Sequence, residues 1–138
     1  MMDLASLAAR AAAVRHNAYA PYSGFAVGAA LLCADGEIFT GVNVENSSYG
    51  LTVCAERNAL FAAVGAGRRE FAALAVYAAP IGADEGPDYT RPCGACLQAL
   101  AEFCAPDMPV IRLRTESDFT VTPFGELFPY GFTLQEKE

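Results

Sequence analysis

The stretch Phe71–Ala79 constrains the fold more than any other part of the chain. It is apolar at nearly every position, and Pro80 follows it directly. A strand that lines a sheet with one wet face alternates apolar and polar residues, whereas an unbroken apolar run is typical of a strand buried on both faces. The sequence therefore predicts a sheet that is covered by helices on both sides.

The rest of the chain supplies the other elements of such a sheet. Leu4, Leu7, Ala11 and Val14 recur at helical spacing behind Asp3, a good N-cap residue. The predicted elements, in order, are a helix over 3–18, strands over 26–33 and 37–42 joined at a hairpin turn, a helix over 53–64, strand 71–79, a helix over 95–103, and strands over 109–113 and 119–121. Strands and helices alternate after the hairpin, so the fold class is α/β, a three-layer α/β/α arrangement around a mixed sheet of about five strands.

Composition excludes several classes of protein. The 138 residues are 54% hydrophobic and 18% charged, which suits a single domain over 1–138 with a large core. A net charge of −7 argues against a nucleic-acid partner, which would need a basic face. The longest apolar stretch is too short to span a bilayer. Because Asp3 stands where a secretory signal carries positive charge, we expect a cytoplasmic protein with no membrane partner.

Five cysteines carry the strongest functional signal. An odd number of cysteines in a chain without a secretory signal argues against a disulfide framework and for metal binding or catalysis. Three of them fall in two short motifs, Cys54-Ala-Glu56 and Pro92-Cys93-Gly-Ala-Cys96, whose first cysteines are 39 residues apart. Both motifs lie at the predicted start of a helix, where free backbone N–H groups and the helix dipole favour a thiolate.

These two motifs together predict a catalytic zinc site. Three thiolates from adjacent helix starts would hold one Zn²⁺ per chain and leave its fourth position open, which is typical of catalytic rather than structural zinc. Glu56, two residues after a ligand, would lie beside that position and carry protons. Three thiolates leave the site with a net charge of −1, and Arg57 could offset this charge by hydrogen bonding to the ligand sulfurs.

The chain resembles the small homotetrameric cytidine deaminases over nearly its whole length. The matching blocks are Tyr19-Ala-Pro-Tyr-Ser-Gly-Phe25, Val27-Gly-Ala-Ala-Leu-Leu32, Asn43-Val-Glu-Asn46, Tyr49, Cys54-Ala-Glu-Arg57, Pro92-Cys-Gly-Ala-Cys96 and Leu127-Phe-Pro-Tyr-Gly-Phe132. The resemblance implies hydrolytic deamination of cytidine and 2′-deoxycytidine in pyrimidine salvage. It also implies the three-layer fold and a homotetramer whose active sites borrow residues from neighbouring subunits.

By matching position, the resemblance also assigns roles to single residues. The zinc ligands would be Cys54, Cys93 and Cys96, and the proton carrier would be Glu56. The substrate contacts would be Asn43 and Glu45 on the ribose hydroxyls, Phe25 on the pyrimidine, Tyr49 and Ala55 in the pocket, and Phe132 as a cap from a neighbouring chain. Leu97 departs from the pattern, because many relatives have Arg after the last cysteine. The subunit contact made by that Arg is therefore in doubt.

Other functions remain open from the residues alone. A structural zinc module could close its site with Cys104 or Cys33, although Cys104 lies two helical turns beyond Cys96. A redox protein could use Cys93 and Cys96 as a dithiol, which leaves the Cys54 motif unexplained. A deaminase of another amine, such as blasticidin S, is a third alternative.

The tail from Phe124 to Phe132 carries four aromatic residues, and we expect them to be exposed at a subunit interface.

Overall fold

The structure, a computed structural model, describes residues 3–134. The helices are α1 (Leu4–Val14), α2 (Ala55–Gly65), α3 (Gly94–Ala101) and α4 (Phe124–Leu127), with 3₁₀ turns at Arg15–Asn17 and Tyr49–Leu51. The strands are β1 (Phe25–Cys33), β2 (Ile38–Val42), β3 (Phe71–Pro80), β4 (Pro109–Leu113) and β5 (Phe119–Pro123). No helix within residues 3–134 combines the length and apolar character needed to cross a bilayer.

The five strands form one mixed sheet in the order β2-β1-β3-β4-β5. Strand β1 is antiparallel to both β2 and β3, and β4 is antiparallel to β5. Strands β3 and β4 are parallel, with α3 in the connection between them. Strand β3 is the middle strand, which explains why its sequence is apolar throughout.

Helices cover the sheet on both faces, as the sequence predicts. Helix α1 packs on one face, where Leu7 and Ala11 join Ile111 and Leu113 in a buried cluster. Helices α2 and α3 pack on the other face, in a second cluster that includes Leu60 and Leu100. The predicted three-layer α/β/α class with a five-stranded mixed sheet is therefore confirmed.

Helix α2 lies unusually close to β2, and this contact sets where the helix begins. A Cβ atom on Gly41 would be 2.4 Å from both the Ala55 carbonyl oxygen and the Ala59 nitrogen, so only glycine fits there. The Asn58 side chain also donates a hydrogen bond of 2.7 Å to the Val42 carbonyl. The N-terminus of α2 is thus fixed against the last residues of β2.

The predicted ends of two helices are wrong by a few residues. Helix α1 ends at Val14 and continues as a 3₁₀ turn, because Arg15 turns inward and is only 3% exposed. Its guanidinium donates to the carbonyls of Ala79 in β3 and Ala83 in the loop that follows. Helix α3 ends at Ala101, where the following N–H groups fold back on the Leu100 carbonyl.

The expectation of four exposed tail aromatics is also wrong. Phe124 is 4% exposed and belongs to the core cluster beneath α2 and α3. Phe128 packs against it, with the two ring centroids 6.4 Å apart. Only Tyr130 and Phe132 of this set are exposed, because α4 turns the earlier part of the tail onto the sheet.

Candidate active site

Three cysteine sulfurs meet where α2 and α3 begin. Cys54 is the N-cap residue of α2, Cys93 is the N-cap residue of α3, and Cys96 lies in the first turn of α3. The Sγ atoms of Cys54 and Cys93 are 3.7 Å apart, and those of Cys93 and Cys96 are 3.4 Å apart. All three sulfurs lie within 4.8 Å of one another.

This spacing fits a tetrahedral metal ion. Zn–S bonds of about 2.3 Å at tetrahedral angles place ligand sulfurs about 3.8 Å apart. The two sulfur–sulfur distances, 3.7 and 3.4 Å, are both close to that value. Among residues 3–134 these three cysteines form the one group of potential ligand side chains close enough to share an ion. Three protein ligands leave the fourth position open to a small molecule.

Arg57 and the neighbouring thiols stabilise the thiolate of Cys54. Hydrogen bonds from the Cys96 thiol and then from Arg57 lower the pKa of Cys54 to about 5. The Arg57 Nη2 atom is 3.6 Å from the Cys54 sulfur, and its Nε is buried without a partner in the described chain. Arg57 thus lies where it can offset the negative charge of three thiolates.

Glu56 is buried beside the cysteine cluster. Its side chain is 4% exposed, and burial raises the pKa of its carboxyl to about 7. The pKa of the Cys96 thiol is raised first by its contact with Cys54, then by burial, and then by the negative charge of Glu56. A carboxyl group with a pKa near neutrality can both accept and donate a proton at physiological pH.

The loop between β2 and α2 carries Glu45, and this loop pairs with the segment that leads into Cys54. Val44 pairs with Val53, directly before Cys54, through hydrogen bonds of 3.0 and 3.1 Å. The Glu45 carboxylate accepts hydrogen bonds from the backbone N–H groups of Tyr22 and Ser23 and from the Ser23 hydroxyl. The Ser23 hydroxyl is the main cause of the lowered pKa of Glu45. Glu45 is therefore held as an anion at the rim of the site.

Asn43 is buried, and its amide is already engaged. Its Oδ1 atom accepts a hydrogen bond from Val27 N–H, and its Nδ2 atom donates to the Phe25 carbonyl, both at 2.9 Å. These bonds fix the start of β1, where the Phe25 ring is 38% exposed. One amide N–H and one lone pair of Asn43 remain for a further partner.

A cavity of about 360 Å³ opens beside Glu45 and is lined by Tyr22, Ser23, Glu45, Tyr49 and Thr52. Its volume falls within the range of about 300–1,000 Å³ typical of small-molecule pockets. Tyr49 is 75% exposed and meets Tyr22 edge to face, with ring centroids 6.0 Å apart. The cysteines do not line this cavity, and Cys93 is exposed in the single chain.

Two further predicted contacts lie at the edges of this region. The Ala55 side chain is fully buried, so only its backbone can reach a ligand. As the first residue of α2, Ala55 has a backbone N–H with no intrahelical acceptor. Phe132 is 67% exposed at the end of the described tail and touches α3 through its backbone.

The remaining cysteines are separate from the cluster. Cys104 is buried three residues past the end of α3, and burial raises its pKa to about 12. Cys33 is buried at the end of β1. Within the described chain neither belongs to the group of sulfurs close enough to share an ion. Leu97 is 8% exposed and packs in the core between the helices and the sheet.

Sequence reasoning missed three residues that shape this site. Ser23 and Tyr22 hold Glu45, and Asn58 ties α2 to β2. Ser23 and Tyr22 fall within the block Tyr19-Ala-Pro-Tyr-Ser-Gly-Phe25, one of those on which the family resemblance rests, and this block is a signal for them. Asn58 carries no local signal, because its partner is 16 residues away.

Comparisons with known proteins agree with this geometry. Residues 1–112 match the sequence model of the family described as "Cytidine and deoxycytidylate deaminase zinc-binding region". A cytidine deaminase of Sporosarcina psychrophila is 47% identical over 135 residues, which covers 98% of this chain and 95% of the relative. A blasticidin-S deaminase of Bacillus cereus is 31% identical over 109 residues, which covers 78% of this chain and 76% of the relative.

The fold has close counterparts among solved structures. The crystal structure of a cytidine deaminase from Burkholderia pseudomallei superposes with a TM-score of 0.86 at 47% identity, covering 95% of this chain and all of that one. The family match spans both cysteine motifs and the strands that position them. The chain therefore belongs to the cytidine deaminase family and contains the zinc-binding region of that family.

Proposed function

We propose that this protein catalyses the hydrolytic deamination of cytidine and 2′-deoxycytidine to the corresponding uridines, releasing ammonia. The observation that carries the proposal is the convergence of three cysteine sulfurs at two helix starts, with the buried carboxyl of Glu56 beside them. Such a reaction serves pyrimidine salvage in the cytoplasm. We infer that residues 1–138 act as a single domain.

Each residue of the cluster has a definite part in this chemistry. Cys54, Cys93 and Cys96 would hold a Zn²⁺ ion, which when bound supplies the Lewis acidity that activates water for attack on C4 of the pyrimidine. Glu56 accepts a proton from the attacking water and delivers it to ring N3. It then transfers a second proton from the new hydroxyl to the amino group, so that the C4–N bond breaks and ammonia leaves. A carboxyl whose pKa is about 7 is suited to both transfers.

The rim residues would select a free nucleoside. Glu45 can accept hydrogen bonds from ribose hydroxyls, and as an anion it would repel the phosphate of a nucleotide. Asn43 can donate its remaining amide N–H to the same sugar. Phe25 would pack on the pyrimidine, while Tyr49 and the Ala55 backbone would complete the pocket.

A second copy of the chain would close the site. Tyr19, Tyr49, Leu51 and Phe61 are all more than half exposed and lie on or near the elements that carry the site. Exposed apolar side chains at this density mark an interface. We infer a homotetramer in which Phe132 of one chain covers the pyrimidine bound to another.

The first experiment tests substrate and metal together. Purified protein is mixed with cytidine, 2′-deoxycytidine or blasticidin S, and the absorbance of each is followed before and after zinc is removed with a chelator. We expect the cytidine absorbance to fall as the substrate is deaminated. Chelation of zinc should abolish this activity, and added zinc should restore it. Faster turnover of blasticidin S than of cytidine would favour the alternative function, deamination of blasticidin S. This substrate is included because a blasticidin-S deaminase is 31% identical to this chain.

X-ray absorption at the zinc edge separates a catalytic from a structural site. We expect three sulfur ligands and one light-atom ligand per zinc, with one zinc per chain. Four sulfur ligands would instead identify a closed structural module.

Subunit mixing tests the shared active site. Glu56→Gln chains and Phe132→Ala chains are each made separately, then dissociated and reassembled together. If Phe132 acts on a neighbouring chain, some mixed sites combine an intact Glu56 with an intact Phe132, and activity rises above that of either parent. A fully active monomer in sedimentation experiments would overturn this part of the proposal.

A further inference from the structure

One side chain, Gln98, joins the C-terminal segment to helix α3. Its Nε2 atom donates a hydrogen bond of 2.7 Å to the Phe132 carbonyl, and its Oε1 atom accepts one of 3.0 Å from the Phe132 N–H. The amide thus satisfies both backbone groups of one residue, as a neighbouring strand would.

Gln98 also lies close to the cysteine cluster along the chain. It is two residues beyond Cys96, in the middle of α3 (Gly94–Ala101). The helix that carries two of the three sulfurs therefore also holds the backbone of Phe132. The Phe132 ring itself is left 67% exposed, free to contact something outside its own chain.

A second contact fixes the residue just before Phe132. A Cβ atom on Gly131 would be 2.6 Å from Cε2 of Phe128, so the tail approaches that ring as closely as glycine allows. Phe128 in turn packs on the buried Phe124. The direction of the tail is thus set from two sides, by Gln98 and by the ring of Phe128.

We propose that Gln98 is a positioning residue that holds Phe132 at a fixed place relative to α3, so that its ring closes the nucleoside pocket of a neighbouring copy. The proposal rests on the proposed function and adds a residue to it. Gln98 does not touch the substrate; it acts through Phe132. Its loss should therefore weaken substrate binding and leave the chemical step intact.

The test compares Gln98→Met, a change that keeps side-chain length but removes both hydrogen bonds, with Phe132→Ala and the double variant. We expect Gln98→Met to raise KM for cytidine by about tenfold with kcat nearly unchanged, since two lost hydrogen bonds correspond to a change of that order. In the Phe132→Ala background the same change should raise KM no further. A KM effect that adds in full to that of Phe132→Ala would mean a merely structural role and would overturn the proposal.

A second readout does not depend on activity. Hydrogen exchange of the Phe132 amide in the intact protein should be about tenfold faster in Gln98→Met, because its acceptor is gone. Gly131→Ala should raise KM in the same way by displacing the tail from the other side. Unchanged exchange in Gln98→Met, or faster exchange with unchanged KM, would each overturn the proposal. If the wild-type protein does not deaminate cytidine, the proposed function fails, while the exchange measurement still reports on the Gln98 contact.

Discussion

Substituting Gly41 tests whether the contact between β2 and α2 positions the catalytic groups. In Gly41→Ala the new Cβ would lie 2.4 Å from the Ala55 oxygen and the Ala59 nitrogen. Non-bonded atoms contact carbon without repulsion at separations of about 3.5 Å or more. Because both contacted atoms belong to the helix backbone, relief requires α2 to move away from β2 by about 1 Å.

This displacement would change the positions of residues in the active site. Cys54 and Glu56 lie at the N-terminus of α2, within the same turn as the contacted atoms. A misplacement of about 1 Å can lower kcat about 10²-fold, and overpacking costs about 1–3 kcal/mol of stability. The matched control is Gly65→Ala at the other end of α2, where a Cβ meets no atom within 4 Å.

The assay is cytidine turnover at saturating substrate, together with zinc content and urea unfolding for each variant. We expect Gly41→Ala to remain folded but lose about 10²-fold in kcat. We expect Gly65→Ala to keep full activity and to change the free energy of unfolding by less than about 0.5 kcal/mol. A folded Gly41→Ala protein with kcat within about twofold of wild type would refute the reasoning, because the helix would then tolerate the shift.

Three further predictions follow from individual contacts. Arg57→Gln should weaken zinc binding about 10–100-fold in a chelator competition assay, and unchanged affinity would contradict the role of its hydrogen bond to sulfur. Because burial raises the pKa of Cys104 to about 12, iodoacetamide at pH 8 should leave this thiol unmodified in the native protein. The exposed Cys93 should react with iodoacetamide once zinc is removed. Mass spectrometry of the peptides shows which of the two cysteines is modified. Asn43→Ala leaves two β1 backbone groups without partners and should cost about 1–3 kcal/mol in urea unfolding, so full stability would contradict the assigned hydrogen bonds.

Local patterns were sufficient to predict the layers and the cysteine motifs. The unbroken apolar run of β3 predicted a strand that is buried on both faces, and β3 is indeed the central strand of the sheet. The helix starts at Cys54 and Cys93 were also predictable to within two residues, because a helix N-terminus is signalled by neighbouring residues.

Contacts between distant parts of the chain could not be predicted in this way. Asn43 was expected to face a ligand, yet it also bonds to backbone groups 16 and 18 residues earlier. Gln98 meets the Phe132 backbone across 34 residues, and nothing near either residue signals the pair. Phe124 was expected at the surface, but its burial depends on how α4 follows β5 onto the sheet. Such contacts depend on the assembled fold rather than on local propensity.

Glu56→Gln tests the central claim most directly. The substitution keeps the size of the side chain and removes its ability to carry a proton, while the three cysteines that would hold zinc are untouched. Turnover of cytidine is measured for both proteins at equal, verified zinc content. We predict that the variant keeps its fold and its metal and loses at least about 10²–10⁴-fold in kcat, the usual range for one proton transfer, because Glu56 acts in more than one step. Retention of more than about a tenth of wild-type kcat would contradict the assignment of Glu56 as the proton carrier.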